Sequence, residues 1–290
     1  MSGKKAISYV LLCILFFGCS FSLLLYFGNT KTGLASEEEM PEAVTKAGDK
    51  EEGGASNAPD TLPAVSENST EPVLDIRQTA EDFGQTLRKI RSEHKRIVVL
   101  DAGGGAGESI QGRIESASGE KTLEEKDLTL DLAKRCRKLL EEQDIYVVMS
   151  REDDSAVSAD ARVYLANAIP ADLFISLHVF EDADTSVYGM KVSYNGEFYM
   201  QGYSNGQLAY SILENATESA NEKALGVFEE TDGDSALRLL MIPGVELDVG
   251  CLSNKQQARL LEREDYRDKV SQGICDGILE AFETMEKGNE

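Results

Sequence analysis

The chain has 290 residues and a strongly acidic balance, with 52 Asp and Glu against 29 Lys and Arg and a formal net charge of −23. This balance argues against nucleic-acid binding, because phosphate recognition depends on clustered Lys and Arg. Hydrophobic residues make up 41% of the chain, enough for a buried core. The length fits one domain of ordinary size with additional segments.

Residues 1–28 predict a cytoplasmic stub and a transmembrane anchor. Residues 6–28 are almost wholly apolar, and about 20 apolar residues span a bilayer. Lys4 and Lys5 precede this run and an acidic stretch follows it, which places the N-terminus inside. We therefore expect a single-pass protein of the cell membrane with an extracytoplasmic C-terminal domain. Cleavage near residues 33–35, as in a signal peptide, is the alternative.

Residues 29–72 predict a disordered acidic linker, because Glu, Ser, Gly, Ala and Pro dominate them and apolar residues are sparse. Such a tether lets a domain reach outward from a membrane. Residues 73–94 predict a lead-in helix. Its apolar residues recur near helical spacing: Leu74, Ala80, Phe83, Leu87 and Ile90.

Residues 95–290 alternate between strand and helix patterns. The patterns predict strands at 97–100, 145–149, 173–177, 188–194 and 245–249, and helices at 125–143, 159–168, 205–222 and 265–287. This alternation predicts an α/β fold with a mixed, largely parallel sheet flanked by helices on both faces. Functional sites in such folds gather at the carboxyl ends of the strands, which is where Asp101, His178 and Asp248 stand.

A glycine-rich turn, residues 103–107, follows the first predicted strand. It lacks both the GxxxxGK[ST] pattern and a well-spaced GxGxxG that opens a helix. The next residue, Glu108, is acidic and disfavours phosphate. The turn therefore does not predict a nucleotide site. The cysteines show no CxxC spacing, so they predict neither a disulfide framework nor a thiolate zinc site.

Several short motifs follow the first strand in a specific order. They are Asp101-Ala102-Gly103, Glu125-Lys126-Asp127, Ser150-Arg151, Arg162 with Ala166-Asn167, the segment from Ala171 to His178, and the segment from Pro243 to Asn254. In order and spacing they resemble the zinc-dependent N-acetylmuramoyl-L-alanine amidases of bacterial cell walls. The resemblance extends from Arg96 to near the C-terminus and implies an amidase-like fold.

The resemblance implies a zinc with three protein ligands and a water, at which the metal activates the water and a Glu acts as general base. The ligands would fall at positions 104, 125 and 178, and the Glu at position 248. Glu125 and His178 match this pattern. Gly104, however, has no side chain, and Asp248 is one methylene shorter than Glu. Phe180 stands where the family usually has Asn.

Glu108, four residues after Gly104, is the best local substitute for the missing ligand. A site built from Glu125, His178 and Glu108 is rich in carboxylates and suits harder divalent ions. The other histidine, His94, precedes the first strand and is expected at the opposite end of the sheet. Asp248 would act as the base, although a misplacement of that size can lower the rate about a hundredfold.

The same residues also have structural interpretations. Glu125 fits the N-terminal turn of its helix through the helix dipole. His178 fits a hydrogen-bonded histidine at a strand end, and Asp248 fits a residue that caps a turn. Arg151 and Arg162 are expected to form structural ion pairs.

Three functions follow from this pattern. The first is a degenerate amidase that binds peptidoglycan, or a cell-wall or sporulation protein, and regulates wall remodelling. The second is an active metal-dependent amidase that cleaves the bond between N-acetylmuramic acid and L-alanine, with Glu108 replacing the missing histidine. The third is a metal-free binder of something outside peptidoglycan. Changes at two mechanistic positions, Gly104 and Asp248, favour the first.

Overall fold

The computed structural model describes residues 76–105, 113–115, 122–200, 202–233 and 235–288. The predicted anchor and linker lie outside these residues, so both stay predictions. Among the helices described, none is long and apolar enough to cross a membrane.

The elements alternate along the chain much as the sequence predicts. The helices are α1 (Ile76–Glu93), α2 (Glu125–Glu141), α3 (Ala159–Ala168), α4 (Asn205–Ala220), α5 (Lys255–Leu261) and α6 (Glu264–Gly288), with a 3-10 turn at Ala236–Leu239. The strands are β1 (Ile97–Ala102), β2 (Arg113–Glu115), β3 (Thr122–Glu124), β4 (Tyr146–Met149), β5 (Leu173–Phe180), β6 (Met190–Tyr194), β7 (Tyr199–Met200), β8 (Tyr203–Ser204), β9 (Ala224–Glu229) and β10 (Gly244–Cys251).

Six strands form the central sheet, in the order β4-β1-β5-β10-β6-β9. Neighbouring strands are parallel except for β10 and β6, which are antiparallel. The sheet is therefore mixed and largely parallel. The carboxyl ends of β4, β1, β5 and β10 meet at one edge, and β6 begins at that edge.

The larger core lies between one face of the sheet and helices α2, α4 and α6. Alternate strand residues such as Leu100, Ile175 and Leu247 point into it and are fully buried, as expected where side chains alternate between two faces. Gly273 and Gly277 on α6 let this helix approach α4 closely. A Cβ on Gly273 would lie 2.4 Å from the carbonyl oxygen of Asn215, so a larger residue would push the helices apart.

The opposite face carries a smaller core beneath α1, α3 and the 3-10 turn, and this core includes Val99 and Phe174. The side chains of Phe83, Leu87 and Ile90 on α1 pack against it, so α1 belongs to the body of the domain. The cysteines of the domain are free and buried: Cys136, Cys251 and Cys275.

Candidate active site

The register of the sheet brings the predicted site residues together at its carboxyl edge. His178 on β5 lies opposite Asp248 on β10, and Asp248 lies opposite Lys191 on β6. Two residues before His178 on β5, Ser176 lies opposite Asp101 on β1. Because residues two apart on a strand share a face, these side chains lie on the face away from the larger core.

A buried ion pair supports the loop that follows β1. Arg162 on α3 donates to a carboxylate oxygen of Asp101, and both residues are buried. The other carboxylate oxygen accepts a hydrogen bond of 2.6 Å from the hydroxyl of Ser176. Arg162 also donates to the carbonyl oxygens of Ala102 at 2.9 Å and Gly104 at 2.7 Å. The predicted structural ion pair of Arg162 is therefore present, and it fixes the glycine turn.

A second buried arginine ties the same loop to helix α2. Arg151 donates to the carbonyl oxygens of Ala102 at 2.8 Å and Gly103 at 2.9 Å. It also donates to the carbonyl oxygen of Lys126 at 2.7 Å. The planar guanidinium has five donors in a fixed fork, so one side chain holds several carbonyls at once. The role of Arg151 is thus to join the loop to the first turn of α2.

Gly104 occupies a backbone position that disfavours any side chain. Its φ is +71°, in the left-handed region. A Cβ at this position would lie 3.2 Å from the Cα of Lys126, tighter than ordinary contact. Position 104 therefore contributes no metal ligand.

Glu125 and His178, the two ligand positions that match the family, contact each other. The Oε1 of Glu125 lies 2.9 Å from the Nδ1 of His178. The imidazole of His178 lies close to Gly103. A Cβ on Gly103 would be only 2.3 Å from the Cε1 of His178. Burial lowers the pKa of His178, but the hydrogen bond to Glu125 and nearby carboxylates, Glu246 foremost, outweigh it and raise that pKa to about 9.

Asp248, the predicted base, faces a lysine that the sequence interpretation did not identify. The Nζ of Lys191 lies 3.5 Å from the Oδ2 of Asp248 and 4.4 Å from the centre of the Phe180 ring. Burial and the charge of Glu246 raise the pKa of Asp248 to about 6, while Lys191 and His178 oppose that rise. Strand alternation indicates which face Lys191 occupies, but only the antiparallel pairing of β6 with β10 brings it to Asp248.

Glu246 also reaches the imidazole. Glu246 stands two residues before Asp248 on β10, and its Oε2 lies 3.9 Å from the Nε2 of His178. His94, by contrast, stacks on Tyr146 at the start of β4, with ring centroids 4.4 Å apart. The expectation that His94 lies at the opposite end of the sheet is confirmed.

The described residues do not fit a zinc site with three protein ligands. Glu125 and His178 supply two donors, while Gly104 supplies none. The predicted substitute, Glu108, lies outside the described residues. Within the described parts of the chain, no group of three His, Cys, Asp or Glu residues is arranged to hold a metal ion.

Several known proteins are similar to this chain in sequence and in fold. The N-acetylmuramoyl-L-alanine amidase family model matches residues 98–280. A germination-specific N-acetylmuramoyl-L-alanine amidase of Bacillus subtilis strain 168 is 30% identical over 208 residues, which cover 67% of this chain and 82% of the relative.

Among solved structures, an N-acetylmuramoyl-L-alanine amidase from Clostridium difficile 630 is 26% identical, with a TM-score of 0.57 over 65% of this chain and 97% of that one. The CwlD amidase from Clostridioides difficile, in complex with the GerS lipoprotein, shares the fold at 23% identity, with a TM-score of 0.56 over 65% and 98%. The chain therefore belongs to the N-acetylmuramoyl-L-alanine amidase family of bacterial cell-wall proteins.

Proposed function

We propose that this protein is a membrane-anchored, wall-facing member of the amidase family that binds peptidoglycan with weak or no hydrolysis and thereby regulates wall remodelling. The observation that carries this proposal is Gly104. It stands at a ligand position, has no donor, and sits in a left-handed backbone pressed against Lys126. A catalytic zinc of this family needs three protein ligands, and zinc supplies the activated water when it is bound.

The residue at the base position is also compromised. Asp248 is one methylene shorter than the Glu of the family, and its carboxylate lies 3.5 Å from the ammonium of Lys191. A general base must lie within hydrogen-bonding reach of the proton that it takes. A shorter side chain directed towards a cation is poorly placed for that role, so proton transfer at this site is expected to be slow.

The side chains that remain are suited to binding. The carboxylates of Glu125, Glu246 and Asp248 accept hydrogen bonds, and the ammonium of Lys191 donates them. Glu246, Asp248 and Lys191 lie on one face of the sheet at its carboxyl edge, and Glu125 reaches His178 there from the start of α2, at the usual place for ligands in open α/β folds. Amide groups and hydroxyls of peptidoglycan offer matching donors and acceptors.

One observation favours a second candidate, an active metal-dependent amidase. Glu125 and His178 match the family and hold their side-chain atoms 2.9 Å apart, so two ligand positions are intact. In this alternative Glu108 would complete the site and Asp248 would act as base.

The location and partners extend the proposal. The apolar run over residues 6–28 supports a membrane anchor, and the lysines before it support an extracytoplasmic domain. The solved complex of CwlD with the GerS lipoprotein supports a cell-wall or sporulation protein as a further partner.

The test uses the full chain in detergent with purified cell-wall sacculi and added zinc. A matched variant, His178→Ala, lacks the one imidazole of the site. We expect the wild-type protein to be retained on sacculi and to release no more stem peptide than the variant. If the wild-type protein instead released peptide at ten or more times the rate of the variant, the active-amidase candidate would replace the proposal.

A further inference from the structure

Two buried cysteines meet between helices α2 and α6. The thiol of Cys275 on α6 donates to the carbonyl oxygen of Cys136 on α2 at 3.5 Å, and the thiol of Cys136 donates to the carbonyl oxygen of Ser271 on α6 at 3.7 Å. Each sulfur therefore lies against the main chain of the opposite helix. The interaction between the two thiols, together with burial, raises the pKa of the Cys275 thiol.

This thiol pair lies in the larger core, away from the candidate active site. Cys136 is 0% and Cys275 is 2% exposed. They stand 139 positions apart along the chain, so the packing of α6 on α2 brings them together and sequence spacing could not show the pair. The third cysteine of the domain, Cys251, is equally buried, but its sulfur lies 3.0 Å from the hydroxyl of Ser253 just after β10.

The position of α2 matters to the site, because the helix begins at Glu125. Its first half is already held by polar contacts: Arg151 donates to the carbonyl oxygen of Lys126 at 2.7 Å, and Asp131 accepts from Arg267 on α6 at 2.6 Å. A covalent bond at Cys136 would fix the second half of α2 to α6 in the same orientation.

We propose that Cys136 and Cys275 form a disulfide that joins α2 to α6 as the domain folds outside the cytoplasm. Disulfides form and persist in oxidising, extracytoplasmic compartments, whereas cytosolic thiols are kept reduced. The inference therefore rests on the proposed extracytoplasmic location, but on neither peptidoglycan binding nor hydrolysis. The bond closes a long loop, which restricts the unfolded chain and so stabilises the folded domain.

The oxidant is itself a disulfide, either a small molecule such as oxidised glutathione or the active-site disulfide of a thiol–disulfide oxidoreductase. The thiolate of one cysteine attacks it, forms a mixed disulfide and releases one thiol. The thiolate of the other cysteine attacks the mixed disulfide and releases the second thiol. The two cysteines lose two electrons, the oxidant is reduced to two thiols, and the two cysteine protons end on those thiols. Because the folded domain buries both sulfurs, the reaction proceeds while the helices are still apart.

The experiment refolds the full chain in detergent, either with excess oxidised glutathione or with dithiothreitol. Proteolysis without reductant and mass spectrometry identify the linked cysteines, and thermal unfolding measures the stability of each product. We expect a bond between Cys136 and Cys275 that dithiothreitol breaks, and a melting temperature about 5 °C or more higher in the oxidised product. An oxidised product without this link would overturn the proposal.

Cys275→Ala removes one sulfur, and Cys251→Ala, at the other buried cysteine, is the matched control. The readout is the difference in melting temperature between the oxidised and reduced products of one variant, so the cost of the cavity left by either alanine cancels. We expect Cys251→Ala to keep the wild-type difference and Cys275→Ala to lose it. If Cys275→Ala does not fold, Cys275→Val, which keeps more apolar volume, is measured instead. Equal differences in the variants at positions 251 and 275 would contradict the disulfide.

The sacculus assay separates this inference from the proposed function. If sacculi retain the wild-type protein but the oxidised product lacks the link between Cys136 and Cys275, the disulfide is disproved and the proposed function is kept. If the link forms but sacculi do not retain the protein, the proposed function fails and the disulfide stands.

Discussion

At the residue scale, Gly104 combines two constraints that act together. Its left-handed φ of +71° disfavours any residue with a Cβ, and Lys126 leaves little room for one. A histidine could enter this position only if the loop moved, and Arg151 and Arg162 hold the carbonyls of that loop. The backbone conformation at position 104, as well as the sequence, therefore disfavours a side-chain ligand there.

This constraint predicts that Gly104→Ala destabilises the domain. The left-handed region costs a residue with a Cβ about 1–2 kcal/mol, and the contact with Lys126 adds to that cost. For a domain of this size, each kcal/mol lowers the melting temperature by about 2–4 °C, so thermal unfolding measures the effect. Gly233→Ala is the control, since a Cβ there has no neighbour within 4 Å. Equal melting temperatures for the two variants would contradict the strain.

A second prediction concerns the buried pair of Arg162 and Asp101. Arg162→Met leaves the Asp101 carboxylate buried without its cation, which costs about 3–5 kcal/mol in comparable cases. Urea unfolding of Arg162→Met should show a loss of that size, whereas Arg259→Met, an exposed arginine on α5, should change stability by less than about 0.5 kcal/mol. Adding Asp101→Asn to Arg162→Met should recover part of the loss. A double variant weaker by the full sum of the single losses would show that the pair is not coupled.

At the element scale, α2 carries Glu125 and is fastened to α6 through Asp131. That carboxylate accepts from Arg135 at 2.7 Å and from Arg267 on α6 at 2.6 Å. Burial raises the pKa of Asp131, but the hydrogen bonds and charges of the two arginines outweigh it and hold the pKa below its ordinary value. The contact therefore stabilises the folded state when Asp131 is ionised.

The sign of the pH dependence follows from this shift. A carboxyl whose folded pKa lies below its unfolded value of about 3.9 contributes stability above that value and loses it as pH falls through the folded pKa. Asp131→Asn should therefore be less stable than the wild-type protein by up to about 1 kcal/mol above pH 5, with the difference shrinking below pH 4. Urea unfolding across pH checks this. Glu283→Gln, at an exposed pair with Lys287, should show almost no difference, and a constant gap for Asp131→Asn at every pH would refute the assignment.

Most of the helices and strands were predictable from local patterns. The sequence predicts a helix over 159–168 and a strand delivering His178, and the structure has Ala159–Ala168 and Leu173–Phe180. The prediction missed β9 (Ala224–Glu229), an edge strand in which no residue is buried and whose sequence therefore shows no apolar alternation. It also missed α5 (Lys255–Leu261), because seven residues are too short for a clear helical period.

The residues of the candidate active site were likewise predictable from the sequence only in part. Motif spacing was enough to bring His178 and Asp248 to one edge, because parallel strands end together. Lys191 could not be found that way, since its place beside Asp248 depends on the antiparallel pairing of β6 with β10. A single sequence does not determine which distant strands pair, or in which direction.

At the scale of the whole molecule, two cores on the two faces of the sheet account for the packing of the domain. Both cores are built from apolar side chains. Arg151 and Arg162 fix the loop after β1 through hydrogen bonds to its carbonyl oxygens. In a metalloprotein, a bound metal helps to order such a loop. The domain is therefore expected to reach its full stability without zinc.

Zinc linkage tests this on the intact chain. A ligand present at 100 times its dissociation constant stabilises the folded state by about 2.7 kcal/mol, or roughly 5–11 °C in melting temperature for a domain of this size. We expect both excess zinc and a chelator to shift the melting temperature of the wild-type protein by less than about 1 °C. His178→Ala is the matched control, because it removes a donor that any zinc site here would use. A rise of 5 °C or more with zinc in the wild-type protein, absent from His178→Ala, would mean that a third ligand completes the site and would favour the active amidase.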